Sequence, residues 1–355
     1  MKRLNEISDI IMGQSPASST YNTIGEGVPF FQGNADFGIE HPNVRVYCSL
    51  PTKMSEKGDV LISVRAPIGA VNIANQTCCI GRGLAAVRPL EGKSQTRYLY
   101  HLLIANKEVL ESKGTGSTFK AITGKVLNDV HVPSYNMEQQ KEIARLLDTV
   151  VAAITKRRKQ IDFYNDLVKS QFIEMFGDIV RNERGWRSER MEQIAPAEPY
   201  RGHIASFDGK YWLLNLDMVE AQTGEIISKV MVDTAEIGNS TTTFGSENVL
   251  YSKLRPYLNK VVIPTESGYA TSELIPLKPN SEKLNKYYFA SALRSDAFVG
   301  YIQEQVAGAK MPRVSMGVFR TFFFPCPPIE LQNKFARFVE QTDKSKIPYE
   351  MEVAA

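Results

Sequence analysis

Long apolar runs, paired cysteines and a large net charge are all missing from this sequence of 355 residues. The longest apolar runs, such as the three phenylalanines at 322–324, fall well short of the roughly 18 residues that a membrane helix needs. The amino terminus is charged and polar and has no signal-type apolar segment, so we expect a cytoplasmic location. The four cysteines lack zinc-ligand spacing and the density of a disulfide framework, which predicts small buried hydrophobic side chains.

The bulk charge does not by itself point to nucleic acid. Lys and Arg number 42 against 39 Asp and Glu, a net charge of +3, so any basic surface must be local. An apolar content of 43% excludes wholesale disorder. At about 150 residues per domain, the length predicts two domains with a linking element.

The sequence contains an internal repeat. The stretch 120–145 matches 312–337 without gaps at an offset of 192 residues, with Pro, Glu, Gln, Ala and Arg coincident. Further upstream, 59–67 matches 248–256 at an offset of 189. Solenoid repeats recur about every 20–50 residues, so a period this long indicates a duplicated domain.

Each copy combines short strands with helices, which predicts an α+β fold. In the first copy, 60–64 and 69–74 have the composition and spacing of a hairpin, and apolar residues recur at helical spacing over 96–111. The second copy repeats this order, with strands near 248–252 and 259–263 and a helix near 284–294.

A single long helix is predicted between the two copies. Residues 137–176 contain no Pro or Gly, and 40 helical residues span about 60 Å. Gly177 follows as a helix cap. A heptad seam runs along this helix, with polar interruptions at Arg157 and Gln171, and must bury against the helix of the second copy that starts at Ile329. The seam and partner-interface residues are Ile143, Leu147, Val150, Ile154, Ile161, Tyr164, Val168 and, from the second copy, Phe335.

Together these features resemble the DNA-specificity (S) subunit of type I restriction-modification systems. The likeness spans nearly the whole chain. It rests on two helix starts of the form Pro-x3-[Met/Ile]-Glu-x-Gln-x3-Ala-Arg and on the segments GQSP (13–16) with Tyr21-Asn22, PFFQGNADFG (29–38), GDVLISVRAPIG (58–69) and QFIEMFG (171–177).

The resemblance implies an architecture and a set of partners. Two target-recognition domains would each read half of a bipartite double-stranded DNA site, separated by two long helices that carry two methyltransferase subunits. Restriction subunits would join the complex. The implied organisation is a first recognition domain (1–133), a central helix (134–178), a second recognition domain (179–325) and a distal helix with a tail (326–355). The length of the helix would then set the spacer of the DNA site.

Polar, glycine-rich and basic loops are the predicted DNA contacts, because Arg reads guanine, Asn and Gln read adenine, and Ser, Thr and Lys donate to phosphate. In the first copy they are Gln14, Ser15, Ser18, Tyr21, Asn22, Arg65, Arg82, Lys113, Ser117 and Lys120, and in the second Tyr200, Arg201, His203, Lys253, Arg255, Lys310 and Arg313. For each basic residue, a solvated surface charge is the competing interpretation. The basic run 156–159 has the same two interpretations, a solvated helix face or a contact to spacer phosphates.

Catalytic motifs are incomplete. Residues 92–94 end like a phosphate-binding loop but lack its first glycine, and a dinucleotide-like pattern at 81–86 is followed by Pro89, which stops the required helix. The four histidines show no metal-ligand spacing. We therefore expect a non-catalytic subunit without cofactor or metal.

The distal helix departs from the family pattern. After Pro328 only 27 residues remain and Pro348 interrupts them, so that helix reaches about 18 residues at most and leaves much of the seam uncovered. Assembly with partner chains or a second copy through the bare seam is predicted. The recognition half of a restriction-methyltransferase and a truncated orphan scaffold that no longer supports restriction are the alternatives.

Overall fold

A computed structural model describes residues 1–116, 120–306 and 312–345. The chain divides into two compact units, residues 1–155 (unit 1) and 156–355 (unit 2). Within the described ranges, no helix combines the length and apolar character needed to cross a membrane.

Unit 1 contains short strands followed by helices. In chain order its strands are β1 (Lys2–Arg3), β2 (Ser8–Met12), β3 (Tyr21–Asn22), β4 (Val28–Phe31), β5 (Tyr47–Cys48), β6 (Met54–Ser55), β7 (Val60–Ser63), β8 (Val71–Ile73), β9 (Cys78–Ile80), β10 (Leu84–Pro89) and β11 (His131–Val132). Its helices are α1 (Thr96–Ala105), α2 (Lys107–Ser112), α3 (Gly124–Asn128) and the first half of α4 (Met137–Phe176), which continues into unit 2.

Two sheets form the body of unit 1. One has the order β2-β10-β7-β8 with antiparallel pairing throughout, and the other has the order β3-β5-β4-β9-β6. All four residues of β7 are buried, three of them apolar and the fourth Ser63, and β7 and β8 form the predicted hairpin pair. Residues 96–111, predicted as one helix, form two, because the chain turns at Asn106 before α2 begins.

Unit 2 follows the same plan. Its strands are β12 (Ser188–Arg190), β13 (Lys210–Leu214), β14 (Val230–Asp233), β15 (Thr241–Phe244), β16 (Val249–Ser252), β17 (Val261–Val262), β18 (Gly268–Thr271), β19 (Leu274–Leu277) and β20 (Phe323–Pro325). Its further helices are α5 (Met191–Ile194), α6 (Lys286–Arg294), α7 (Asp296–Glu304), α8 (Met316–Thr321) and α9 (Ile329–Lys344). The main sheets have the orders β14-β13-β18-β15 and β17-β16-β19. Of the three phenylalanines at 322–324, the outer two are buried and Phe323 is exposed, which is the alternation of a strand.

The duplication is visible in matching hydrogen bonds. In unit 1 the Ile122 N–H donates to Val64 O (2.9 Å), and in unit 2 the Val314 N–H donates to Lys253 O (2.8 Å). The two donors are 192 positions apart and the two acceptors 189 positions apart, and these are the two offsets of the sequence repeat. The buried Gln140 at the start of α4 and the buried Gln332 at the start of α9 also donate to equivalent backbone carbonyls.

Helix α4 runs over the predicted residues and ends where Gly177 adopts a φ of 72°. The helix that starts at Ile329 packs on the last turns of α4. There the Phe335 ring lies 5.5 Å from the rings of Phe172 and Phe176. Phe335 is fully buried in that cluster, so it is a seam residue inside the chain rather than a free partner surface.

The seam is buried along only part of its length. Leu147 and Val150 are 38% and 46% exposed, whereas Ile143 packs on the core of unit 1 and Val168 on that of unit 2. Ile154, Ile161 and Tyr164 are half-buried. The physical reason is length, because α9 has 16 described residues against 40 in α4; the residues from 346 onward lie outside the described part.

Polar contacts hold the first half of α4 on unit 1. The Arg97 Nε donates to Asp148 Oδ2 over 3.0 Å, and His101 Nε2 lies 2.7 Å from Asp148 Oδ1. Arg97 also forms an ion pair with Glu40. Hydrogen bonds from Arg97 are the main reason that the pKa of Asp148 lies below its ordinary value.

Candidate nucleic-acid interface

Six loop segments of unit 1 meet at one surface, which we call the loop edge: residues 13–15, 31–33, 51–53, 64–66, 80–83 and the described parts of a last loop, 113–116 and 120–121. Hydrogen bonds join them in sequence around the surface. The contacts are Thr52 Oγ1 to Gln14 O (2.7 Å), Gln14 N to Ile80 O (3.0 Å), Gly83 N to Gln32 O (3.2 Å), Val64 N to Gly83 O (2.9 Å) and Ala66 N to Lys120 O (3.0 Å).

The loop edge is basic and free of acidic side chains. None of its six segments contains Asp or Glu. Five exposed cations lie on it, and none of them forms an ion pair within the described residues: Lys53, Arg65, Arg82, Lys113 and Lys120. Unpaired cations beside small polar side chains are what a DNA backbone requires of its binding surface.

Two glycines allow the segments to approach closely. A Cβ built at Gly13 would lie 2.2 Å from Gly81 O, and one built at Gly83 would lie 2.5 Å from Gln32 O. Both obstacles are backbone atoms, which cannot move aside like a flexible side chain. The close packing of the loop edge therefore depends on these glycines.

The structure brings together only some of the predicted residues of the first copy. Gln14, Ser15, Arg65, Arg82, Lys113 and Lys120 lie on the loop edge, and Ser117 is among the residues that are not described. The side chain of Asn22 instead closes a turn, donating to Glu26 O and accepting from the Glu26 N–H. The role of Asn22 in DNA contact stays a prediction.

Ser18 and Tyr21 precede that turn. Tyr21 stacks on Phe30 with ring centroids 4.6 Å apart, and its hydroxyl donates to Pro16 O (2.9 Å). Desolvation raises the pKa of Tyr21. Ser18 is exposed in a single 3-10 turn. Their roles in DNA contact stay predictions.

Unit 2 brings three of its predicted residues together. The Arg255 N–H donates to Pro312 O (2.8 Å), and Leu254 forms a bridge with Arg313, so that Lys253, Arg255 and Arg313 lie on neighbouring segments. This surface differs from the loop edge in one respect, because Glu273 lies beside it and pairs with Arg313 at 3.0 Å.

The remaining unit 2 predictions lie elsewhere. Tyr200 is tied to β15, because its N–H donates to Thr243 O (3.2 Å) and its carbonyl accepts from Thr243 Oγ1 (2.6 Å). Arg201 and His203 are exposed in the following loop, and Lys310 lies outside the described residues. In the basic run 156–159 of α4, Arg157 is half-buried and donates to Gln160 Oε1 (2.7 Å), and the other three residues are exposed.

Sequence reasoning missed two residues of the loop edge, Gln32 and Lys53. Gln32 falls inside the segment 29–38 that carries the family resemblance, and its type is that of an adenine reader, so this signal was present. Lys53 gives no such signal, because its loop reaches this surface through contacts between distant segments, such as the hydrogen bonds of Ile80 N to Lys53 O (2.9 Å) and of Thr52 Oγ1 to Gln14 O (2.7 Å).

Among the described residues, no group of three His, Cys, Asp or Glu side chains is arranged to hold a metal ion. The four cysteines are unpaired; Cys326 is half-buried and the other three are buried. Burial raises the pKa of Cys78 to about 12 and that of Cys326 to about 11, so both thiols are protonated at neutral pH.

Known proteins resemble this chain at two levels. The family model of the type I restriction modification DNA specificity domain matches residues 1–161. A Methanocaldococcus jannaschii protein named as the MjaX specificity subunit of a type I restriction enzyme is 46% identical over 151 residues, which cover 42% of this chain and 36% of that relative. The match therefore spans about a third of the relative's length.

Two more distant matches extend over nearly the whole chain. The MjaIX type I restriction enzyme specificity subunit of the same organism is 23% identical and covers 96% of this chain and 85% of its own length. The crystal structure of a type I restriction-modification system S subunit from M. genitalium matches 99% of this chain and 91% of its own, with 14% identity and a TM-score of 0.58, and shows the same fold. These are names of specificity subunits and not of methyltransferase or nuclease chains, and they confirm the resemblance and the α+β fold predicted from the sequence. Residues 1–161 match the type I restriction modification DNA specificity domain, and nearly the whole chain is similar to a type I restriction enzyme specificity subunit.

Proposed function

We propose that this chain is a sequence-specific DNA-binding subunit that reads a bipartite target. Each of the two duplicated copies reads one half of the site, with the domain boundaries predicted above. The chain directs methyltransferase and endonuclease subunits to that site in the cytoplasm. It supplies recognition, without cofactor, metal or catalysis of its own.

The loop edge is the observation that supports this proposal most. A DNA-binding surface must neutralise phosphates, and five exposed cations without internal ion pairs can do so. Neutral donors and acceptors between them, on Gln14, Ser15 and Gln32, supply groups suited to base edges. This surface also explains how a chain with a net charge of only +3 can bind DNA, because its acidic residues lie off the six segments.

Exposed apolar residues on α4 support the proposed assembly with methyltransferase subunits. Leu146, Leu147, Val150 and Val151 are 38–60% exposed in consecutive turns of one helix. A contiguous apolar patch of this kind marks an interaction surface more often than a solvated one. We therefore assign the predicted partner interface to this stretch of the seam.

The experiment is a selection of duplexes from a randomised pool by the purified chain, alone and together with methyltransferase subunits. The proposal predicts two enriched sequence blocks at a fixed separation and an affinity that falls steeply with salt. Equal affinity for all duplexes in both preparations would contradict it. Methyl transfer to DNA by the chain alone would contradict its proposed non-catalytic role.

A further inference from the structure

One hydroxyl group on the loop edge, that of Ser15, accepts hydrogen bonds from two residues that could read bases. The Gln32 Nε2 donates to Ser15 Oγ over 2.9 Å. The same oxygen accepts the backbone N–H of Arg82 over 3.2 Å. Ser15 thus fixes the side-chain amide of Gln32 next to the backbone from which the Arg82 side chain extends.

Gln32 is held at its backbone as well. Its N–H donates to Asp36 Oδ2 (3.0 Å), and its carbonyl accepts the N–H of Gly83 (3.2 Å). Asp36 is itself buried and paired with Arg45, so it is a firm anchor rather than an exposed acid beside the DNA. A side chain fixed in this way loses little conformational entropy when it binds, which is what specific recognition requires.

The groups left over on these side chains match base edges. An amide nitrogen carries two N–H groups, and only one of those on Gln32 is used by Ser15. The second N–H and the carbonyl Oε1 have no hydrogen-bond partner among the described residues, and together they fit N7 and N6 of adenine in the major groove. The exposed Arg82 guanidinium, without an ion pair in the same described part, fits O6 and N7 of guanine.

We propose that Gln32 and Arg82 are specificity-determining residues of the first half-site, reading an adenine and a guanine, and that Ser15 is their positioning residue. This inference rests on the proposed function. The proposal assigns a different role to Lys53 of the same loop edge. Ser15 does not position this cation, and its role is to bind a phosphate.

The test repeats the duplex selection with single variants of the full chain. Gln32→Glu can only accept, so its selected sequence should carry cytosine at the one position where the wild type selects adenine. Arg82→Ala should lower discrimination for guanine at a second position about tenfold. The control Lys53→Gln should weaken binding to all duplexes alike, reduce the salt slope by about 1 and leave the selected sequence unchanged.

Ser15→Ala tests the positioning role, because it should reduce discrimination at both positions while the thermal midpoint stays that of the wild type. Should Gln32→Glu fail to show a cooperative thermal transition, Gln32→Ala replaces it and should lose the adenine preference. Selected sequences identical to the wild-type sequence for both reader variants would overturn this inference alone. A wild-type chain that enriches no sequence would overturn the proposed function itself.

Discussion

Gly13 shows how a single residue can support a whole surface. Its missing side chain leaves room for the carbonyls of Gly81 and Leu84, which would lie 2.2 and 2.7 Å from a Cβ. Gly33 lies on the same loop edge in extended backbone with φ −171°, and a Cβ there would meet nothing within 4 Å. Both positions hold glycine, but only at Gly13 would a side chain collide with neighbouring backbone.

We expect Gly13→Ala to lower the free energy of unfolding by about 1–3 kcal/mol, because rigid backbone must shift to admit the methyl group. The matched control Gly33→Ala should change it by no more than about 0.5 kcal/mol. Urea titration of both variants measures the difference. Equal stabilities would show that the loop edge is not closely packed at Gly13.

For single residues, the sequence predicts which residue types could contact DNA, but it does not predict which of them lie side by side in the fold. Arg65, Arg82 and Lys120 stand out in the sequence as cations beside glycines or turns. Their common surface depends on contacts between segments up to 67 residues apart, such as that of Arg82 N with Ser15 Oγ. No local pattern encodes such a contact, which is why Lys53 could not be predicted at this surface.

Among the elements, α4 depends on an ion pair that is sensitive to pH. The pKa of Asp148 is lowered chiefly by hydrogen bonds from Arg97, so the folded chain binds this proton less readily than the unfolded chain. The resulting stability is present above the ordinary pKa of 3.8 and is lost as the pH falls through the lower folded value.

Asp148→Asn should therefore destabilise the protein by about 1 kcal/mol at pH 7, since the pair is partly exposed, and by much less at a pH below the lowered folded pKa of this carboxyl. Asp166→Asn is the control, because Asp166 is exposed on the same helix and forms no ion pair within the described ranges. Chemical denaturation at both pH values gives the comparison. A penalty for Asp148→Asn that does not depend on pH would contradict the assigned ion pair.

Elements differ in how far the sequence determines them. The bounds of α4 follow from 40 residues without Gly or Pro and from the cap at Gly177, all local signals. The break between α1 and α2 at Asn106 has no comparable signal, and the parallel pairing of β4 with β9 joins strands about 50 residues apart. Short strands carry little pattern, so their partners are decided by the tertiary packing.

For the whole molecule, the duplication links the fold to the proposed bipartite site. Insertion of one heptad into the exposed middle of α4 adds about 10 Å of helix, or about 3 base pairs of DNA. If the helix sets the spacer, selection should return the same two sequence blocks with a spacer longer by about that amount. An unchanged spacer would contradict this role of α4.

The central claim is that each copy reads one half of the target, and paired variants test it most directly. Arg65→Ala with Arg82→Ala alters the loop edge of unit 1, and Lys253→Ala with Arg313→Ala alters the corresponding surface of unit 2. Duplex selection with the first pair should lose one sequence block and keep the other, and selection with the second pair should show the reverse. Loss of the same block, or of both blocks, by each pair of substitutions would contradict the account.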